Sequence, residues 1–173
     1  MSKSNYYSFS SFIFLFTLSL ASINAIAVTK TMSESACEPA IPNTVASHPN
    51  LEVMKKLNIL NLEKSKSIIA ENFIWHYFNP KLPELHGDHH GFEGFKDFFA
   101  KLNKKSKGSF EKKVINQHVV GDELVIIQTC NSLVFEGKTI EIDVVVVWRI
   151  VDGKIAEGWD IPSIYHARVI KNN

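Results

Sequence analysis

The sequence predicts an α+β fold, with helices first and then an antiparallel sheet that they cover on one face. Two observations predict it. Apolar residues recur at helical spacing as far as Leu102, and after Ser109 the period shifts to two over four long runs. The runs are joined by Gly121-Asp122, Glu136-Gly137 and Asp152-Gly153. Tight hairpins need positive φ, which glycine adopts without steric cost, so these dipeptides read as antiparallel turns. The chain has 173 residues, 45% of them hydrophobic and 21% charged, which suits one globular domain. Lys+Arg 19 against Asp+Glu 18 gives no electrostatic reason to expect nucleic acid as a partner.

Taken in order, residues 1–27 have the make-up of a signal peptide. Lys3 is the single charge before Lys30, Phe12–Leu20 is almost wholly apolar, and Ala25-Ile26-Ala27 offers the small-x-small triplet that a signal peptidase accepts. The expectation is a secreted or periplasmic protein with no stable membrane insertion after cleavage. An uncleaved anchor and a buried first helix are the alternatives; Phe9–Val28 is long enough to span a bilayer, although Ser and Asn interrupt it. Residues 28–50, with Pro39, Pro42 and Pro49, read as an extended arm. Export would place Cys37 and Cys130 in an oxidising compartment, as a disulfide or as two free thiols.

The domain proper is expected over 51–162. Leu51, Met54, Leu57 and Leu60 recur every three residues, as on one helical face. Ile68, Ile69 and Phe73 extend this into a second short helix, and Asn79–Gly91 reads as a loop. Phe92, Phe95, Phe98, Phe99 and Leu102 mark the core face of a further helix. Strands are expected at 109–120, 123–135, 138–151 and 154–161, followed by a tail over 163–173. In the third strand Val144, Val146 and Trp148 share one face, and Asp143, Val145, Val147 and Arg149 the other.

Three segments carry a family resemblance: FIWHYFNP at 73–80, GFEGFKDFFAKL at 91–102 and WRIVDGKIAEGWD at 148–160. The chain resembles the SnoaL-like branch of the nuclear transport factor 2 (NTF2-like) superfamily. The resemblance implies a cone-shaped α+β fold, an apolar pocket for a small ligand, no cofactor, and a homodimer formed through the sheet. The chain departs from the family pattern by two extra residues, Tyr77 and Phe78, before Asn79. It also has Gly158 where many relatives carry His, and Val146 where relatives often place Asp or His.

By this resemblance Asp160 is the candidate general base, because a carboxylate buried in an apolar cone has a raised pKa. His76, with its near-neutral pKa, is the candidate proton relay. Trp75, Asn79, Val146 and Trp148 are expected to line the pocket. His86, Asp88, His89 and His90 sit on one short loop with no further ligands at diagnostic spacing, so no metal site is assigned. His118, Gln128 and Asn131 are polar strand residues whose facing is undecided, because a single bulge reverses the register. Two functions stay open. One is cofactor-free proton transfer (isomerisation, cyclisation or dehydration) on a small carbonyl compound, and the other is a non-catalytic binding or dimerisation module. The discriminating feature is whether Asp160 and His76 converge on one cavity.

Overall fold

A computed structural model describes residues 48–172. The expected signal peptide, the arm up to residue 47 and Cys37 lie outside the described residues. Helix α1 (Pro49–Lys55) opens with Pro at its first position, where a missing N–H costs nothing, and with His48 Nδ1 accepting from the Asn50 amide at 3.2 Å. It does not continue through Leu60. The Asn58 side-chain oxygen accepts from the Leu60 and Asn61 amides at 3.1 and 3.0 Å, which turns the chain and leaves Leu60 82% exposed. A 3-10 helix follows at Leu62–Ile68.

Ile69 and Phe73, expected in a second helix, belong instead to strand β1 (Ile69–Tyr77). The reason is alternation: Phe73, Trp75 and Tyr77 are buried at every second position, a period that a helix cannot present to one layer. The expected loop also contains a strand, β2 (Gly87–His90), paired antiparallel with β1. Helix α2 (Gly91–Lys105) buries Phe95, Phe98 and Leu102, so its apolar stripe is core. The four later strands are β3 (Glu111–Val120), β4 (Leu124–Phe135), β5 (Lys138–Val151) and β6 (Lys154–Pro162). Both two-residue turns carry positive φ throughout: 48° and 77° at Glu136-Gly137, 50° and 72° at Asp152-Gly153. The expected tail contains β7 (Arg168–Asn172).

The sheet runs β2-β1-β6-β5-β4-β3, antiparallel except for the parallel β1/β6 pair. One edge of β5 pairs with β4 along its length. Its other edge is shared: Val144–Val151 pairs with β6, and Lys138–Glu141 with β7. Bulges interrupt four of the ladders, which helps the sheet curve without closing.

The aromatic core lies where α2 crosses the curved face. Phe73 and Phe95 centroids are 4.9 Å apart, Tyr77 and Phe98 4.9 Å, and Trp75 lies 5.1 Å from Phe95 and 4.9 Å from Trp148. The Phe73/Phe95 and Tyr77/Phe98 pairs meet edge to face and the two Trp75 pairs are tilted, geometries that add to what area burial alone supplies. Cys130 is buried and disulfide-bonded, so its thiol is not free. Among the described residues no helix is long and apolar enough to cross a membrane.

Candidate active site

A cavity of about 310 Å³ lies between the concave face of the sheet, the Phe99/Leu102 end of α2 and the segment leading into β7. Strand alternation builds its walls. β5 presents Val144, Val146 and Trp148, β4 presents Ile127, Thr129 and Asn131, and β1 presents Trp75 and Tyr77. Asp160 enters from β6, Asn79 from just beyond β1, and Lys112 from the edge strand β3. The lining is apolar apart from a few convergent polar groups, the usual make-up of a small-molecule site.

Four of those polar atoms are buried without a hydrogen-bond partner: Trp75 Nε1, Thr129 Oγ1, Asn131 Oδ1 and Asp160 Oδ1. Native proteins pair nearly all buried polar atoms, so four unpartnered ones around one cavity single it out among the described residues as a place with hydrogen-bonding capacity to spare. Asp160 carries the sharpest electrostatic signature. Burial pushes its carboxyl up to about 7, and the Lys112 charge pulls weakly the other way. Beside it in the parallel register stands Tyr77. The Tyr77 hydroxyl accepts from Asn79 Nδ2 at 2.9 Å and keeps its own proton to donate. Burial raises it to about 12, the Asn79 hydrogen bond opposes that rise, and the Asp160 charge adds to it, so it stays protonated across the neutral range. Asn79 Oδ1 in turn accepts from the Lys81 amide at 3.1 Å, which fixes the amide orientation.

His76 does not join this group. It pairs in register with Trp159, whereas Tyr77 pairs with Asp160, so the two candidate catalytic residues point to opposite faces of the sheet. The His76 ring stacks on Trp159 at 5.3 Å and bonds Asp88 through Nδ1 at 2.7 Å and Glu157 through Nε2 at 2.9 Å. Arg149 donates to the other Glu157 oxygen at 2.6 Å and lies over the same indole. The loop histidines are also engaged separately. His86 Nδ1 accepts from the Asn79 amide, His89 Nε2 donates to the Leu85 carbonyl, and His90 precedes α2. Of the undecided strand residues, Asn131 lines the cavity, while Gln128 and His118 are exposed. Sequence reasoning missed Tyr77, Thr129 and Lys112. Tyr77 was within its reach, since it shares strand parity with Trp75.

Gly158 explains one departure from the family pattern. A Cβ there would lie 2.7 and 2.8 Å from ring carbons of Trp75 and 3.0 Å from Trp148. The two indoles fill the space that a side chain at 158 would need.

The family model of the SnoaL-like domain matches residues 53–158, more than half of the chain. The chain belongs to the SnoaL-like domain family. No curated protein matches it. Among solved structures, the SnoaL-like domain is similar to Bal32a from a soil-derived mobile gene cassette, with TM-score 0.61 and 20% identity over 68% of this chain and 92% of that one. It is also similar to TerC co-crystallised with polyporic acid, with TM-score 0.57 and 22% identity over 65% and 90%. An NTF2-like protein from Anabaena variabilis gives TM-score 0.56 and 18% identity over 70% and 94%. These likenesses establish an NTF2-like fold.

The outer cluster of this SnoaL-like domain has a stability signature of its own. Partial burial lowers the His76 pKa, but the hydrogen bonds and charges of Asp88 and Glu157 outweigh it, so the pKa is raised overall. A raised histidine stabilises the fold below its unfolded pKa, and that contribution is lost as pH rises through the folded value. His76→Gln is expected to cost about 1 kcal/mol near pH 5.5 and less at pH 9, measured by urea unfolding at both. An equal loss at both pH values would remove the ionic part of this account.

Proposed function

We propose that the protein catalyses cofactor-free proton transfer on a small apolar carbonyl compound, with Asp160 as general base. The observation that carries this reading is the half-buried Asp160, whose Oδ1 is buried in an apolar cavity without a partner and whose carboxyl burial pushes up to about 7. The Asp160 carboxylate takes a proton from the carbon beside the carbonyl, and the C–H electron pair moves to the carbonyl oxygen as an enolate. The Tyr77 hydroxyl or the Trp75 indole N–H donates to that oxygen. Return of the proton from Asp160 to a different carbon completes an isomerisation. TerC, co-crystallised with polyporic acid, has the same fold, which supports a small-molecule role without naming the molecule.

The test is deuterium exchange at the carbon beside the carbonyl of simple aryl ketones in D2O, followed by NMR. Exchange should rise with pH to a plateau above about 7, since the base form is the carboxylate. Ligand-induced shifts with no exchange at any pH would assign the cavity to binding alone. That second reading is favoured by one observation: with His76 turned outward, Asp160 has no histidine partner in the cavity.

Two further parts of the reading concern context. Residues 1–27 act as an export signal, which N-terminal sequencing of the secreted chain would test. The outer face, where Val145 and Ile161 are exposed alongside Trp159, forms a homodimer through the sheet, which sedimentation analysis would test.

A further inference from the structure

We infer that the cavity takes a carbonyl compound that also carries a carboxylate, and that Lys112 is the residue that recognises the anionic group. The inference rests on the proposed role of the cavity and adds the class of ligand.

Two lysines line the cavity. Lys81 is committed, because its Nζ donates to the Ile164 carbonyl at 2.7 Å and lies 4.8 Å from the centre of the Tyr165 ring. Lys112 forms no ion pair or hydrogen bond through its ammonium among the described residues, although Asp160 faces the same cavity. The cavity wall desolvates the Lys112 ammonium and lowers its pKa, although the residue as a whole keeps contact with solvent, and the Asp160 charge partly restores it.

The neighbours of Lys112 suit an anion. It pairs in register with Asn131, whose Oδ1 is a buried acceptor without a partner, so this amide suits an anion only through its Nδ2 hydrogens. Thr129, two residues along the same face of β4, has an unpartnered hydroxyl. An ammonium, an amide N–H and a hydroxyl along one wall offer three donors to a carboxylate, the strongest of them charge-assisted. Asp160 and Tyr77 stand on the other wall, formed by β6 and β1. A ligand bridging the walls would place its anionic end at Lys112 and its carbonyl end at the proposed base.

The probes are 3-benzoylpropionate and its methyl ester, which share ring and ketone and differ in the charge. Calorimetry on the full chain should show the acid binding about tenfold or more tightly than the ester. Lys112→Met should bring the two within about twofold by weakening the acid alone, while Lys112→Arg should keep the preference. Equal binding of acid and ester by the unmodified protein would overturn the inference. So would a preference that survives Lys112→Met, or no binding of either probe. Deuterium exchange on the same two probes separates the failures. Acid preference without exchange removes the catalytic reading and leaves the anion site, and equal exchange with equal affinity does the reverse. Lys112 lies on an exposed edge strand, so unchanged unfolding midpoints are expected for both variants.

Discussion

Replacing Asp160 with Asn is expected to remove catalysis and to stabilise the protein at alkaline pH. Loss of a positioned general base costs about 10² to 10⁴ in rate, so deuterium exchange should fall by that factor on the plateau above about pH 7 and by less at acid pH, where the carboxyl is already protonated. The stability effect follows from linkage. The folded carboxyl titrates near 7 and the unfolded one near 3.8. Between those values the native state holds a proton that the unfolded chain has released, so stability falls as pH rises through this window and levels off above it. At 1.36 kcal/mol per pKa unit the ceiling on the lost stability is about 4 kcal/mol. Asn escapes that cost but buries an amide with few partners, so a net gain of about 1–3 kcal/mol is expected at pH 8, with little change at pH 4. Urea unfolding at the two pH values measures it. A variant that is inactive and also less stable at pH 8 would show that Asp160 is mainly structural, whatever its effect on rate.

Gly158→Ala is the second substitution with a large expected effect, and it acts through packing. The added methyl would meet Trp75 at 2.7 Å and Trp148 at 3.0 Å, both indoles being almost wholly buried, at 1% and 4% exposure. Trp75 cannot withdraw freely, because Phe95 and Phe98 stand against it at 5.1 and 5.8 Å between centroids. Overpacking of this kind costs about 1–3 kcal/mol and displaces rings that also form the cavity wall. Both the urea midpoint and ketone affinity should therefore fall together. A change under about 0.5 kcal/mol would mean that the indoles repack easily.

The contrast between these two neighbours shows what was legible in the chain. The β3–β6 meander could be read because alternation and glycine turns are local signals, and the facing of Gly158, Trp159 and Asp160 followed from parity within one strand. The β1 region was harder, since Ile68-Ile69 followed by Phe73 fits a short helix as well as a strand until Trp75 and Tyr77 are counted with it. Parity also bears on His76. Adjacent strand residues point to opposite faces, so Trp75 and His76 could not both line the cavity. The parallel pairing of Tyr77 with Asp160, which makes the tyrosine the neighbour of the base, joins distant segments and leaves no mark in local pattern. Lys112 was hidden for another reason. The bulge between Val114 and Asn116 shifts β3 so that Lys112 and Val114 share a face with Gln117 and Val119, and simple alternation from either end fails at the other.

That same parallel ladder governs when the site can come into being. Tyr77 and Asp160 are more than eighty residues apart in sequence, and every strand between them must be made before they can pair. During synthesis β1 and α2 emerge early, with Phe73, Trp75, Tyr77, Phe95 and Phe98 waiting for the rest of their core. Closing so long a loop is slow compared with forming the hairpins of the meander, and an aromatic surface left uncovered meanwhile invites self-association. Refolding yield should therefore depend steeply on protein concentration, and truncation before β6 should leave a chain that aggregates rather than a smaller folded unit.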